Sequence, residues 1–118
     1  MMQRGPLMTI VETRTFIARA TALMDENDRD ALKTMLAADP ECGAVMRGTG
    51  GVRKVRVALQ GRGKSGGARV VYYYRNEAMP LFLLTVFAKN EKDTLSRAER
   101  NDLAALVQAL VDTYGKRP

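Results

Sequence analysis

Three runs of strand character, residues 52–59, 68–75 and 81–87, follow one another with only short connections between them. Strands joined in this way pair antiparallel, because a parallel return needs a crossover of a dozen or more residues. This meander constrains the fold more than any other feature. Residues 52–59 alternate with period two, placing Val55, Val57 and Leu59 on one face and Lys54, Arg56 and Ala58 on the other. In residues 68–75, Arg69, Val71, Tyr73 and Arg75 share a face. Residues 81–87 are almost wholly apolar and are expected to form the most buried strand, after a turn over 76–80.

The flanking segments read as helices. Residues 7–12 form a short first strand, after which Thr13 or Thr15 caps a helix reaching to about Met24, with Phe16, Ile17, Ala20, Leu23 and Met24 on one face. The acidic cluster Asp25, Glu26 and Asp28 suits the positive end of a second helix, buried through Ala31, Leu32, Met35 and Leu36 and stopped at Asp39-Pro40. Residues 41–51 are expected as a loop. Ser96 and Glu99 form a capping box for a last helix striped by Leu103, Leu106, Val107, Leu110, Val111 and Tyr114, with Gly115 placed as its C-terminal glycine. The expected order is β-α-α-β-β-β-α. This is an α+β domain with a small antiparallel sheet and helices packed on one face. At 118 residues the chain is one domain, residues 8–118, preceded by a loose extension over 1–7 with Met8 an alternative start.

Charge is concentrated. The chain carries 19 Lys and Arg against 13 Asp and Glu, a net of +6. Eight of those cations (Arg47, Arg53, Lys54, Arg56, Arg62, Lys64, Arg69 and Arg75) fall in residues 42–76, which hold no acid. The other eleven cations face all 13 acids, a net of −2. Such a local field points to a polyanion, most often nucleic acid. The plain alternative is a solvated sheet face on which Lys and Arg oppose aggregation. Tyr72, Tyr73 and Tyr74 also carry two readings, stacking of unpaired bases or ordinary packing.

Other classes are excluded. No histidine is present, which removes Ser-His-Asp and Cys-His triads and histidine-ligated metal sites; no metal and no cofactor is expected. Cys42 is the only cysteine, which fits a reducing cytoplasm. No apolar run approaches the roughly 18 residues of a membrane span, so no membrane partner is expected. Gly61, Gly63 and Gly66 match G-x-G-x-x-G, and Gly63-Lys64-Ser65 imitates the end of a phosphate-binding loop. Both motifs require a helix next, and here a strand follows. The segment reads instead as a hairpin connection whose Arg62 and Lys64 either lie solvated or hold a phosphate backbone.

The segments GTGGVRKVRVALQGRGKSGGARVVYYYR (48–75) and LFLLTVFAKNEKDTLSRAER (81–100) resemble the RelE/HigB superfamily of bacterial type II toxin–antitoxin toxins, the HigB-like branch being the closer. The resemblance spans about Met8 to Tyr114. It implies a microbial-ribonuclease-like fold, ribosome-dependent cleavage of mRNA in the cytoplasm, and a cognate HigA-like, DNA-binding antitoxin. Carried over by position, Lys54 and Arg56 match the family's basic pair on the second strand, Arg69 its basic residue opening the third, and Lys89, Asn90 and Lys92 its polar segment after the last strand. Arg56 and Arg69 then take phosphate and transition-state roles, Lys54 that of general base, and Lys89 or Lys92 that of acid or charge stabiliser. Arg53, Arg62, Lys64, Tyr73 and Asn90 are candidates for holding RNA. One departure stands out: several relatives place a functional tyrosine where this chain has Thr94, Leu95 and Ser96. A non-catalytic or gyrase-inhibiting member of the same fold, and a simple RNA- or ribosome-binding module, are the alternatives.

Overall fold

The meander expected from the sequence forms the centre of a five-stranded sheet. In the computed structural model, which describes residues 8–59, 67–89 and 95–115, the elements are β1 (Ile10–Glu12), α1 (Arg14–Leu23), α2 (Glu26–Ala38), β2 (Ala44–Val45), β3 (Arg53–Val57), β4 (Ala68–Tyr73), β5 (Leu81–Ala88) and α3 (Arg97–Leu110). The sheet order is β1-β5-β4-β3-β2. β3, β4 and β5 pair antiparallel as expected. The expected extension over 1–7 lies outside the described residues.

Two details of the α+β expectation are corrected. The sheet is mixed, since β1 runs parallel to β5 with Ile10 opposite Leu81. Helices also cover both faces. β5 is buried along nearly its whole length, so its backbone needs ladder partners on both edges and its side chains need cover on both sides. α1 and α2 bring Phe16, Ala20, Leu32 and Leu36 against Val70, Tyr72, Leu81, Leu83 and Val86. On the other face α3 packs Val107, with Leu103 and Leu110, against Val52, Tyr73, Phe82 and Leu84. A single helical layer would have left Phe82, Leu84 and Phe87 in water. A short strand, β2, also forms inside the segment expected to be loop; it pairs with Arg53 and Lys54 of β3.

Local signals set the helix ends. Thr13, not Thr15, caps α1: its hydroxyl accepts from the Phe16 amide at 3.2 Å and donates to the Leu83 carbonyl at 2.9 Å, fastening the helix to β5. Asp25 and Asp28 form a reciprocal capping box on α2, and Ser96 and Glu99 form one on α3. Gly115 does not adopt the left-handed conformation expected of it; the chain widens into a π-type turn over Val111–Gly115. A Cβ there would come within 3.1 Å of Val111 and 3.3 Å of the Arg75 guanidinium, so glycine serves close approach at this end. Glu12, at the end of β1, takes Arg29 at 2.8 Å and Lys33 at 3.4 Å from α2. Burial alone would raise the Glu12 carboxyl; the two cations outweigh it and hold it below its ordinary value.

Tyr72 is fully buried on the α1/α2 face. Its hydroxyl donates to the Pro40 carbonyl and accepts from the Gly43 amide, both at 2.9 Å. Burial, opposed by the Gly43 amide and reinforced by Cys42, pushes the phenol up to about 12. Removing the hydroxyl strands a buried N–H and a C=O. Tyr72→Phe is therefore expected to cost about 1–3 kcal/mol in urea unfolding. Tyr73→Phe, whose hydroxyl has no hydrogen bond among the described residues, is expected to stay within ~0.5 kcal/mol of the parent.

Candidate functional site

Register decides which cations meet. Arg56 of β3 lies directly opposite Arg69 of β4, and Lys54 lies one pleat away on the same face, about 7 Å along the strand. Directly opposed residues of antiparallel strands have Cα atoms about 4.5–5.5 Å apart, and like charges so placed destabilise a sheet. The chain nevertheless carries two arginines there. Arg56 is exposed, Lys54 and Arg69 are half-buried, and neither the Lys54 nor the Arg56 side chain has a hydrogen bond or ion pair among the described residues. The Lys89 amide donates to the Gly67 carbonyl at 3.2 Å, carrying the ladder past β5 and bringing Lys89 to the same end. Three strands thus deliver four basic residues to one end of the sheet. Phe87, across from Arg69, is buried in the cluster that α3 joins, and among the described residues of the row Arg56 is the exposed one.

The ladder here depends on a glycine. Gly67 has φ +69°, and a Cβ on it would collide with the Val57 carbonyl oxygen. Its lack of a side chain lets the chain enter β4 hard against the end of β3. The glycine-rich segment does lead into a strand, as its sequel indicated, and not into a helix.

Not every candidate reaches the cluster. Arg53 lies on the opposite face, where its guanidinium donates to the carbonyls of Glu41 at 3.0 Å and Gly43 at 2.7 Å. The alternation already carried that signal, since Arg53 shares parity with Val55 and Val57. Lys54 therefore shares its face with Arg56 and Arg69 but not with Arg53. Tyr73 does share the face of Arg69, but it is 6 % exposed beneath α3 and offers no ring surface to a base. Tyr74, at the end of β4, is half-buried against the α1/α2 core. Arg62, Lys64, Asn90 and Lys92 lie outside the described residues. Of Thr94, Leu95 and Ser96, the stretch where a tyrosine was expected from the resemblance, Thr94 lies outside the described residues, Leu95 is buried, and Ser96 has its hydroxyl engaged by the Glu99 amide at 3.1 Å.

One residue on the cationic face was not anticipated. Simple alternation from Leu81 would put Thr85 and Phe87 with Leu81 and Leu83, toward α1 and α2. A bulge intervenes: Val71 pairs with Thr85 while Tyr72 pairs with Leu83, so Leu84 is the extra residue. Parity is reversed beyond it. Phe87 stands across from Arg69, and Thr85 stands across from Val71, which faces Lys54. The Thr85 hydroxyl is half-buried and has no hydrogen bond among the described residues. No feature of the sequence alone marks the bulge.

The remaining described surface offers no competing centre: among the described residues no group of three His, Cys, Asp or Glu side chains could hold a metal, and no helix is long and apolar enough to cross a membrane. The fold resembles that of the E. coli toxin RelE, solved as a mutant in the free state; the two superpose with a TM-score of 0.55 at 18% identity over 86% of this chain and 98% of that one. At that identity the likeness speaks for the fold alone. The family model for the RelE toxin of the RelE/RelB toxin–antitoxin system matches residues 8–116, taking in the meander, the cationic row and all three helices. A match of that extent makes this protein a member of the RelE toxin family.

Proposed function

We propose that this toxin is a ribosome-dependent endoribonuclease that cleaves mRNA and so arrests translation. The observation that carries the reading is the Arg56–Arg69 cross-strand pair, with Lys54 on the same face and Lys89 at the same end of the sheet. A like-charge pair held in register is stabilised by an anion placed between its members, and a phosphodiester supplies one. In the reaction the 2′-hydroxyl attacks the adjacent phosphorus. The bond from the 2′-oxygen to phosphorus forms and the bond to the 5′-oxygen breaks, leaving a 2′,3′-cyclic phosphate. The 2′-hydroxyl proton passes to a base and the leaving 5′-oxygen takes a proton. Arg56 and Arg69 hold the non-bridging oxygens, where charge grows in the transition state. Lys54, on the same face, accepts the 2′-proton, and Lys89 or Lys92 supplies charge or a proton to the leaving oxygen. Arg62, Lys64 and Asn90 extend the hold on the RNA backbone. Thr85 adds a hydroxyl within the same face; Thr85→Val, of similar shape, is expected to lower cleavage about 3- to 10-fold, the worth of one neutral hydrogen bond, without changing the thermal midpoint.

The reading includes a HigB-like branch assignment, a HigA-like antitoxin and a cytoplasmic site of action, supported by the segments around Gly63 and Lys89 and by the ribosomal substrate. The antitoxin is expected to present acidic or apolar surface to the cationic end. Inducing the chain with and without the neighbouring gene, and mapping mRNA 5′ ends, tests all of this. New 5′ ends within translated reading frames, suppressed by the neighbour, are expected. Growth arrest with DNA damage and no cleavage would overturn this reading in favour of a gyrase inhibitor.

A further inference from the structure

The end of the sheet away from the cationic row carries a groove of about 530 Å³, bounded by the start of β1, the end of α2 and the turn between β4 and β5. Tyr74, just past the end of β4, lies five positions from Arg69, about 17 Å at strand rise, so the groove is distinct from the cationic end. Met8, Pro40, Met79 and Pro80 provide apolar walls, and Tyr74 and Glu77 bring polar atoms. Among the described residues no Lys or Arg lines it.

The groove lies in a negative field. α2 ends beside it with no basic residue in its last turn and with Asp39 as its C-cap, so the negative end of the helix dipole meets a carboxylate where a cation is normally favoured. Glu41 and Glu77 add two more acids. Together with burial, Glu77 and Glu41 push the Tyr74 phenol above its ordinary value, and its hydroxyl has no hydrogen bond among the described residues. Among the described residues, the basic side chains of the neighbouring elements are engaged elsewhere. Arg75 turns toward Gly115, Arg53 binds the backbone carbonyls of Glu41 and Gly43, and Lys33 pairs with Glu12. An apolar groove with an uncompensated acidic rim is complementary to a cation on an apolar stem.

We infer that this groove docks a segment of a partner protein presenting one arginine or lysine between apolar residues, with the cation at Glu77 and Tyr74 and the apolar flanks on Met8, Met79 and Pro80. Binding there leaves the cationic end of the sheet free. The assignment does not depend on the ribonuclease reading.

The probe is a blocked pentapeptide with a central arginine between two leucines, titrated into the ¹⁵N-labelled chain, beside the same peptide with neutral citrulline replacing arginine. Shifts are expected at Tyr74, Glu77, Ala78 and Ala38. Citrulline, and separately Glu77→Gln, are expected to weaken binding about 10-fold, as loss of one charge-assisted hydrogen bond does. Shifts centred elsewhere, or equal responses to the two peptides, overturn the proposal. A chain beginning at Met8 is titrated in parallel, because residues 1–7 carry Arg4 among apolar neighbours. Binding seen only in that shortened chain would make the chain's own N-terminal segment the occupant and overturn a partner.

Discussion

Arg69→Ala is expected to relieve growth arrest and to lower mRNA cleavage on translating ribosomes by about 10²- to 10³-fold, the usual effect of removing one donor aimed at transition-state charge. Arg69 sits in the middle of the cationic row, with Arg56 directly across one ladder and Phe87 across the other. Its loss removes half of the opposed guanidinium pair and leaves Arg56 to meet the phosphate alone. Arg69→Lys keeps the charge but loses the planar, two-pronged donor, so an intermediate rate is expected. Arg53→Ala is the discriminating control. It also removes a cation from β3, but from the face that binds the Glu41 and Gly43 carbonyls. It is expected to lower the thermal midpoint while leaving the cleavage rate of the folded protein near that of the parent. Full toxicity in both Arg69→Ala and Lys54→Ala would move the active site away from this row.

Gly67→Ala is expected to be the most damaging single-methyl change in the molecule, costing more than about 2 kcal/mol. Two separate penalties combine. An L-residue at φ +69° is strained, and the added Cβ meets the Val57 carbonyl oxygen, a backbone atom that cannot swing aside. The Gly67 carbonyl also accepts from the Lys89 amide, so any shift propagates from β3 and β4 to the end of β5. A fall of about 10 °C in thermal midpoint follows for a domain of this size. Cleavage is expected to fall as well, because Arg56, Arg69 and Lys89 hang from the three strand ends that Gly67 holds together. Gly48→Ala separates the two penalties. Gly48 has φ +77°, but a Cβ there has no atom within 4 Å, so only the strain remains and a loss of about 1 kcal/mol is expected. Equal losses at the two positions would refute the steric account.

The residue pattern alone was enough for most features that depend on near neighbours, the C-terminal glycine at Gly115 being the exception. The capping boxes at Asp25 and Ser96 need only a side chain and an amide three residues on. The split of β3 into a cationic and an apolar face needs only the pleat, and that same pleat assigned Arg53 to the apolar side. Features that depend on distant partners were not legible. β1 lies parallel to β5 because that buried strand lacked a second ladder partner, and α3 crosses to the far face because Phe82, Leu84 and Phe87 needed cover. That same cover removed Tyr73 from reach of RNA. The bulge at Leu84 is the sharpest case. It arises where β5 is fitted to β4, and by reversing parity it sends Thr85 and Phe87 to the cationic face. By itself the sequence determined which residues could be cationic, capped or alternating, since those properties are set within a few residues of backbone. Tertiary structure decided which of them stand together, because register, bulges and burial are settled only when strands far apart in the chain compete for the same partners.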